Sequence, residues 1–79
     1  MVMAGTIRNC QKLRSLDLSC NQLRNQGCIE VANVLLNNSY IRTLNLDNNE
    51  IKEAGLVALL KVLKDNRTLT KLRLENNKF

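Results

Sequence analysis

Three cysteines, Cys10, Cys20 and Cys28, are the side chains of this chain best suited to covalent or metal chemistry. No two of them form a C-x-x-C pair and the chain has no His, so the usual zinc ligand sets are not available. A reactive thiol needs a basic flank that favours the thiolate. Only Cys10, near Arg8 and Lys12, has one. The odd number and loose spacing read as free thiols in a reducing cytosol. Asp47 and Glu75 could form a carboxylate pair, but general acid work needs a desolvated carboxyl with a raised pKa, and both are expected on an open surface. A Gly-rich phosphate loop and a nucleophile–base pair are both missing from the sequence. The expectation is a non-enzyme with no cofactor and no bound metal.

The elements that carry these residues are short and repeated. One eleven-residue phrase occurs three times at an interval of 28 residues: LRSLDLSCNQL at 13–23, IRTLNLDNNEI at 41–51 and LTKLRLENNKF at 69–79. A fixed period of this size marks a stacked array, in which each unit buries its apolar face against its neighbours. Within each copy leucines alternate with polar residues: Leu16/Leu18, Leu44/Leu46 and Leu72/Leu74. Period two is the pattern of a short half-buried strand. Past Gly27 and Gly55 the period becomes helical. Cys28, Val31, Ala32 and Leu35, then Leu56, Leu59, Leu60 and Leu63, fall at i, i+3, i+4 and i+7. Ile29, Val34, Val57 and Val62 widen each apolar face, as a helix flanked by sister helices requires.

The punctuation between these elements is polar. Gly27 and Gly55 stand where a turn enters a helix and are expected to serve a tight bend or a close approach to the next unit. The helices close in Asn37-Asn38-Ser39 and Asp65-Asn66-Arg67, where Asn suits left-handed backbone. Asn21, Asn49 and Asn77 follow the strands. A buried Asn both donates and accepts, so each can satisfy its turn and tie it to the neighbouring unit. The whole of 1–79 reads as one segment. Residues 1–12 are expected to end a preceding unit, 13–40 and 41–68 to form two full units, and 69–79 a partial one. Such an array is expected to belong to a longer one or to a larger assembly.

Side chains between the buried leucines must point to the open face of the sheet. They form three columns: Ser15, Thr43 and Lys71; Asp17, Asn45 and Arg73; Ser19, Asp47 and Glu75. These nine polar residues are the candidate partner-binding set, whereas Asn21, Asn49, Asn77, Gly27 and Gly55 are read as structural. Charge divides across the face. Lys12, Arg14, Arg42, Arg67 and Lys71 precede the strands, and Asp47, Glu50 and Glu75 follow them. Lys78 and the neutral Ser19 weaken the acidic edge. Such a division suits an electrostatically oriented protein partner.

The net charge of +5 fits attraction to acidic partners. The basic residues are mixed with seven acids, and Tyr40 and Phe79 are the only aromatics, so no stacking platform for nucleic acid is expected. No stretch is apolar enough to span a bilayer, and the N-terminus lacks a signal-peptide core. A cytoplasmic location without membrane contact is the expectation.

The phrase L-x-x-L-x-L-x-x-N-x-L, followed by Gly and a helix within 28 residues, resembles a leucine-rich repeat. The full-helix 28-residue form is similar to the ribonuclease-inhibitor-like subfamily. The linking sequences LLNNSYIRTLNL and VLKDNRTLTKLRL resemble repeats of NOD-like receptors and axonemal proteins, and tropomodulins and the activator of the Ran GTPase carry similar units. Ribonuclease inhibitor itself alternates Asn-type with Cys-type repeats, whereas this chain has Asn in all three copies. The resemblance implies an α/β solenoid, with a parallel sheet on the concave side and helices on the convex side. It also implies a non-catalytic protein-interaction module, or alternatively an assembly component, as in cilia, or a regulator of an enzyme or GTPase.

Overall fold

The computed structural model describes residues 13–36 and 40–79. Three short strands alternate with two helices: β1 (Ser15–Asp17), α1 (Arg24–Leu36), β2 (Thr43–Asn45), α2 (Glu53–Leu63) and β3 (Lys71–Arg73). The strands form one parallel sheet in the order β1-β2-β3. Ser15 pairs with Thr43 and Thr43 with Lys71, and Leu16, Leu44 and Leu72 stack in the next position. The register is therefore the 28-residue repeat itself. Strands this short turn one leucine each toward the core, Leu44 buried and Leu16 and Leu72 partly so, and the ladder continues past them: Leu18 N–H donates to Asn45 O at 2.9 Å and Leu46 N–H to Arg73 O at 2.8 Å.

The core lies between sheet and helices. Leu18, Leu23, Val31, Leu35, Ile41, Leu44, Leu46, Ile51 and Leu59 are buried there, with Leu16, Leu72 and Leu74 partly buried against them. Cys28 is fully buried, and its Sγ donates to Gly55 O at 3.3 Å. The expected small apolar role of this cysteine is what the packing shows. The two helices are buried unequally. Ala32 on α1 is 2% exposed, whereas Leu60, one repeat later on α2, is 52% exposed.

Two expectations about backbone shift position. Left-handed asparagines were expected where the helices end; instead they occur where the strands end. Asn48 and Asn76 have φ of 57° and 58°, and Cys20 in the same column has φ of 60°. Asn66 closes α2 differently, its Oδ1 accepting from Thr68 N–H at 3.0 Å and Leu69 N–H at 2.8 Å. The earlier cluster, Asn37-Asn38-Ser39, and the partial unit 1–12 lie outside the described residues.

The glycines sit inside the first helical turns with ordinary negative φ, so bending is not their role. Close approach is. A Cβ on Gly55 would stand 2.9 Å from Asn25 Oδ1 and 3.1 Å from Asn25 Cα in the neighbouring unit. That contact caps a helix. Lys52 begins α2 with no side-chain cap of its own, and Asn25 Oδ1 accepts from Lys52 N–H at 2.9 Å and Gly55 N–H at 3.1 Å. The free N–H groups of a helix start are thus satisfied by the unit beside it.

Candidate protein-binding face

Each strand end must turn sharply toward a helix, which leaves backbone groups without sheet partners. The asparagines take them up. Asn49 Oδ1 accepts from Asn21 N–H at 3.0 Å and Leu23 N–H at 3.3 Å, and its Nδ2 donates to Leu18 O at 2.9 Å and Asp47 O at 3.1 Å. Asn77 does the same one unit on, accepting from Asn49 N–H and Ile51 N–H at 3.0 Å each. Its Nδ2 donates to Leu46 O and Leu74 O at 3.0 Å. Asn49 is wholly buried and Asn21 is exposed, so the same residue has very different surroundings within one column.

The polar columns divide into working turns and open surface. Asp17 Oδ1 accepts from Ser19 N–H at 2.9 Å and Ser19 Oγ at 2.6 Å. These bonds, the hydroxyl first, hold the exposed carboxyl below its ordinary range. Asn45 Oδ1 accepts from Asp47 N–H at 3.0 Å in the same manner. Arg73 cannot accept, and there Asp47 substitutes, its Oδ1 accepting from Glu75 N–H at 2.7 Å.

Asp47 is a correction to the sequence reading. It was expected outward on the open face, yet it is 7% exposed and pairs with Arg73 Nη2 at 3.1 Å. The acidic edge is likewise occupied. Glu75 reaches Arg73 at 3.2 Å, and Glu50 lies between Lys78 at 3.4 Å and Arg24 at 3.8 Å.

The strand starts look different. Ser15 and Thr43 share a hydroxyl–hydroxyl bond of 2.6 Å, and Lys71 continues their column. The Arg14 guanidinium sits over the Tyr40 ring, 5.9 Å from its centroid. Arg14, Arg42 and Lys71 are exposed, and among the described residues no carboxylate pairs with them. A shallow hollow of about 250 Å³ spans the open face, floored by Leu16 and Leu44 and lined by Ser15, Asp17, Thr43, Asn45, Lys71 and Arg73. A hollow this small and polar suits side chains of a protein partner better than a small molecule. Of the nine predicted residues, six therefore meet around one hollow. Ser19, Asp47 and Glu75 belong to the turn.

Among the described residues no cluster of His, Cys, Asp or Glu could hold a metal. Of the two described cysteines, Cys20 is an exposed free thiol, and burial pushes the Cys28 thiol up to about 11. A raised pKa is the opposite of what an activated nucleophile at Cys28 would need. Among the described residues no helix is long and apolar enough to cross a membrane. Three contacts were not foreseen from the sequence: the Asn25 cap, the Asp47–Arg73 pair and the Arg14–Tyr40 stack.

A family model described as Leucine Rich repeat matches residues 9–32 and 37–60, more than half of the chain. The chain belongs to the leucine-rich repeat family. Its strand–turn–helix units and 28-residue register agree with that assignment. The solved structure of "Leiomodin-1 Actin-Binding Site 2 (ABS2)" is similar to this leucine-rich repeat chain, with a TM-score of 0.87 and 28% sequence identity. The match covers 94% of this chain and 43% of that one, so this chain spans less than half of its neighbour. Comparison with curated protein sequences gives no match.

Proposed function

We propose that this chain is a non-catalytic protein-interaction module whose concave sheet face receives a protein partner. The observation that carries the reading is the hollow over Ser15, Asp17, Thr43, Asn45, Lys71 and Arg73, polar along its walls and built on a rigid parallel sheet. Ser19, Asp47 and Glu75 frame it from the turn side. Full helices of 13 and 11 residues and the 28-residue period support the ribonuclease-inhibitor-like form of the repeat. Free thiols at Cys20 and Cys28 support a reducing, cytoplasmic setting.

The structural neighbour is an actin-binding site, which makes actin the first partner to test. The neighbour's greater length leaves room for its binding residues to lie outside the shared part, so the location of the surface is tested together with the partner. Binding of actin to the full 79-residue chain is compared with that of Ser15→Tyr, on the sheet, and Asn33→Tyr, on the exposed side of α1. The proposal expects weakening by Ser15→Tyr alone. Equal affinity of both variants, or loss only in Asn33→Tyr, contradicts the concave assignment.

A further inference from the structure

Resting on that reading of the chain as an interaction module, we propose that a basic stripe at the strand starts, Arg14, Arg42 and Lys71, docks an acidic extended protein segment. All seven acids of the chain lie among the described residues. Asp47, Glu50 and Glu75 are taken by Arg73, Arg24 and Lys78, all at the strand ends. Asp17, the acid within the hollow, is turned onto Ser19 N–H and its hydroxyl. Seven cations remain without an ion pair among the described residues: Lys52, Lys61, Lys64 and Arg67, and the three at the strand starts beside the hollow, Arg14, Arg42 and Lys71.

The backbone sets Arg14 and Arg42 side by side, with Thr70 at their position in the third unit and Lys71 one residue later, across from Thr43. Arg42 N–H donates to Arg14 O at 2.7 Å, and Lys71 N–H donates to Arg42 O at 3.1 Å. Adjacent strands stand about 4.8 Å apart, so the like charges of Arg14 and Arg42 are close neighbours. Like charges on neighbouring strands repel one another. Carboxylates laid across the stripe relieve that repulsion, which couples binding to an unfavourable feature of the free protein.

The arginines suit this task. The Arg14 guanidinium lies 5.9 Å from the Tyr40 ring centroid, within cation–π range, and a guanidinium can take a carboxylate in bidentate fashion. Beside the stripe, the Ser15 and Thr43 hydroxyls and the Asn45 amide offer hydrogen-bonding groups along the hollow. Arg14 lies over the Tyr40 ring, and Phe79 is a lone exposed ring, so the face carries no row of aromatics on which successive bases could stack. A protein segment fits this mixture better than nucleic acid.

The test uses the full 79-residue chain and a labelled peptide of about ten residues alternating Glu and Ser. Anisotropy is read at low and physiological salt. The stripe predicts binding that weakens with salt, a loss of at least about tenfold in R42E/K71E, and a change within about twofold in the helix-side control K52E/K61E. R42Q/K71Q removes the charge without reversing it and should show a smaller loss in the same direction, so unfolding of the reversed variant does not decide the matter. Equal losses in both Glu variants, no peptide binding at low salt, or tighter binding of an oligothymidine or of phosphatidylserine vesicles overturns the stripe. Actin separates the two proposals. If the peptide does not bind while actin binds wild type and R42E/K71E equally, the stripe fails and the module stands. If the peptide binds as expected and actin does not, the stripe stands and the actin assignment falls.

Discussion

The two ends of the strands come from the same repeat, yet their polar residues have opposite fates. At the strand ends Asp17, Asp47, Glu50, Arg73, Glu75 and Lys78 all have polar partners, and the asparagines run between them as a ladder. At the strand starts Arg14, Arg42 and Lys71 have no carboxylate among the described residues. The difference follows from backbone demand. The turn after each strand passes through left-handed backbone and leaves N–H and C=O groups that a side chain must satisfy. The chain approaching each strand already donates its N–H groups to the preceding strand. The side chains of Arg14, Arg42 and Lys71 satisfy no backbone group there, which leaves them open to the proposed partner.

The largest effect that would sharpen this contrast is at Asn49. Asn49→Leu leaves the N–H groups of Asn21 and Leu23 without an acceptor and takes one of two donors from Leu18 O and Asp47 O, a cost of about 3 kcal/mol. Asn21→Leu, at the exposed member of the column, should cost only about 1 kcal/mol. Denaturant unfolding measures both, and equal small losses would break the ladder account.

Asp47→Ala comes next. It removes the acceptor for Glu75 N–H and the partner of Arg73, so a loss of about 1–3 kcal/mol is expected. Arg42→Ala, at the other end of the same strand, should change stability by less than about 0.5 kcal/mol. A larger loss there would mean that the fold uses the strand starts after all.

A smaller change has the opposite sign. Cys20 holds φ of 60° where Asn48 and Asn76 occupy the same column. Asn tolerates this backbone better than Cys. Cys20→Asn should therefore stabilise the chain by about 0.5–1 kcal/mol, read as a rise of a few degrees in Tm.

One further effect is absent at neutral pH and appears only at high pH. Burial raises the Cys28 thiol from 9.0 to about 11, so the folded chain keeps a proton that the unfolded chain gives up first. The contribution is fully present below 9.0 and is lost as pH rises through about 11. Cys28→Ala should remove that part of the alkaline decline in stability. At neutral pH a thiol reagent should label Cys20 in the folded chain and spare Cys28 until unfolding.

The sequence showed what recurs in every unit and missed what occurs once. The leucine stack and the asparagine ladder were readable because Leu16, Leu44 and Leu72, and Asn21, Asn49 and Asn77, repeat the same contacts. Asp47 was misplaced because its column mates, Ser19 and Glu75, are more exposed, and only Arg73 in the next unit draws it in. Asn25 carried no repeating signal, since the equivalent position holds Glu53. The left-handed turn did leave a trace, the Asn48–Asn76 column, but Cys20 interrupts it. The division of charge was visible in the sequence. That one half of it is neutralised follows only from side chains that cross between units.

The central claim is that recognition sits at the strand starts and stability at the strand ends. The most direct test is to follow the backbone amides of the full 79-residue chain by NMR during titration with the acidic Glu/Ser peptide. The account predicts shifts concentrated at Arg14, Ser15, Arg42, Thr43, Thr70 and Lys71, with Asn21, Asn49, Asn77 and both helices left in place. Shifts centred on the strand-end turns, or spread over every exposed lysine, would contradict it.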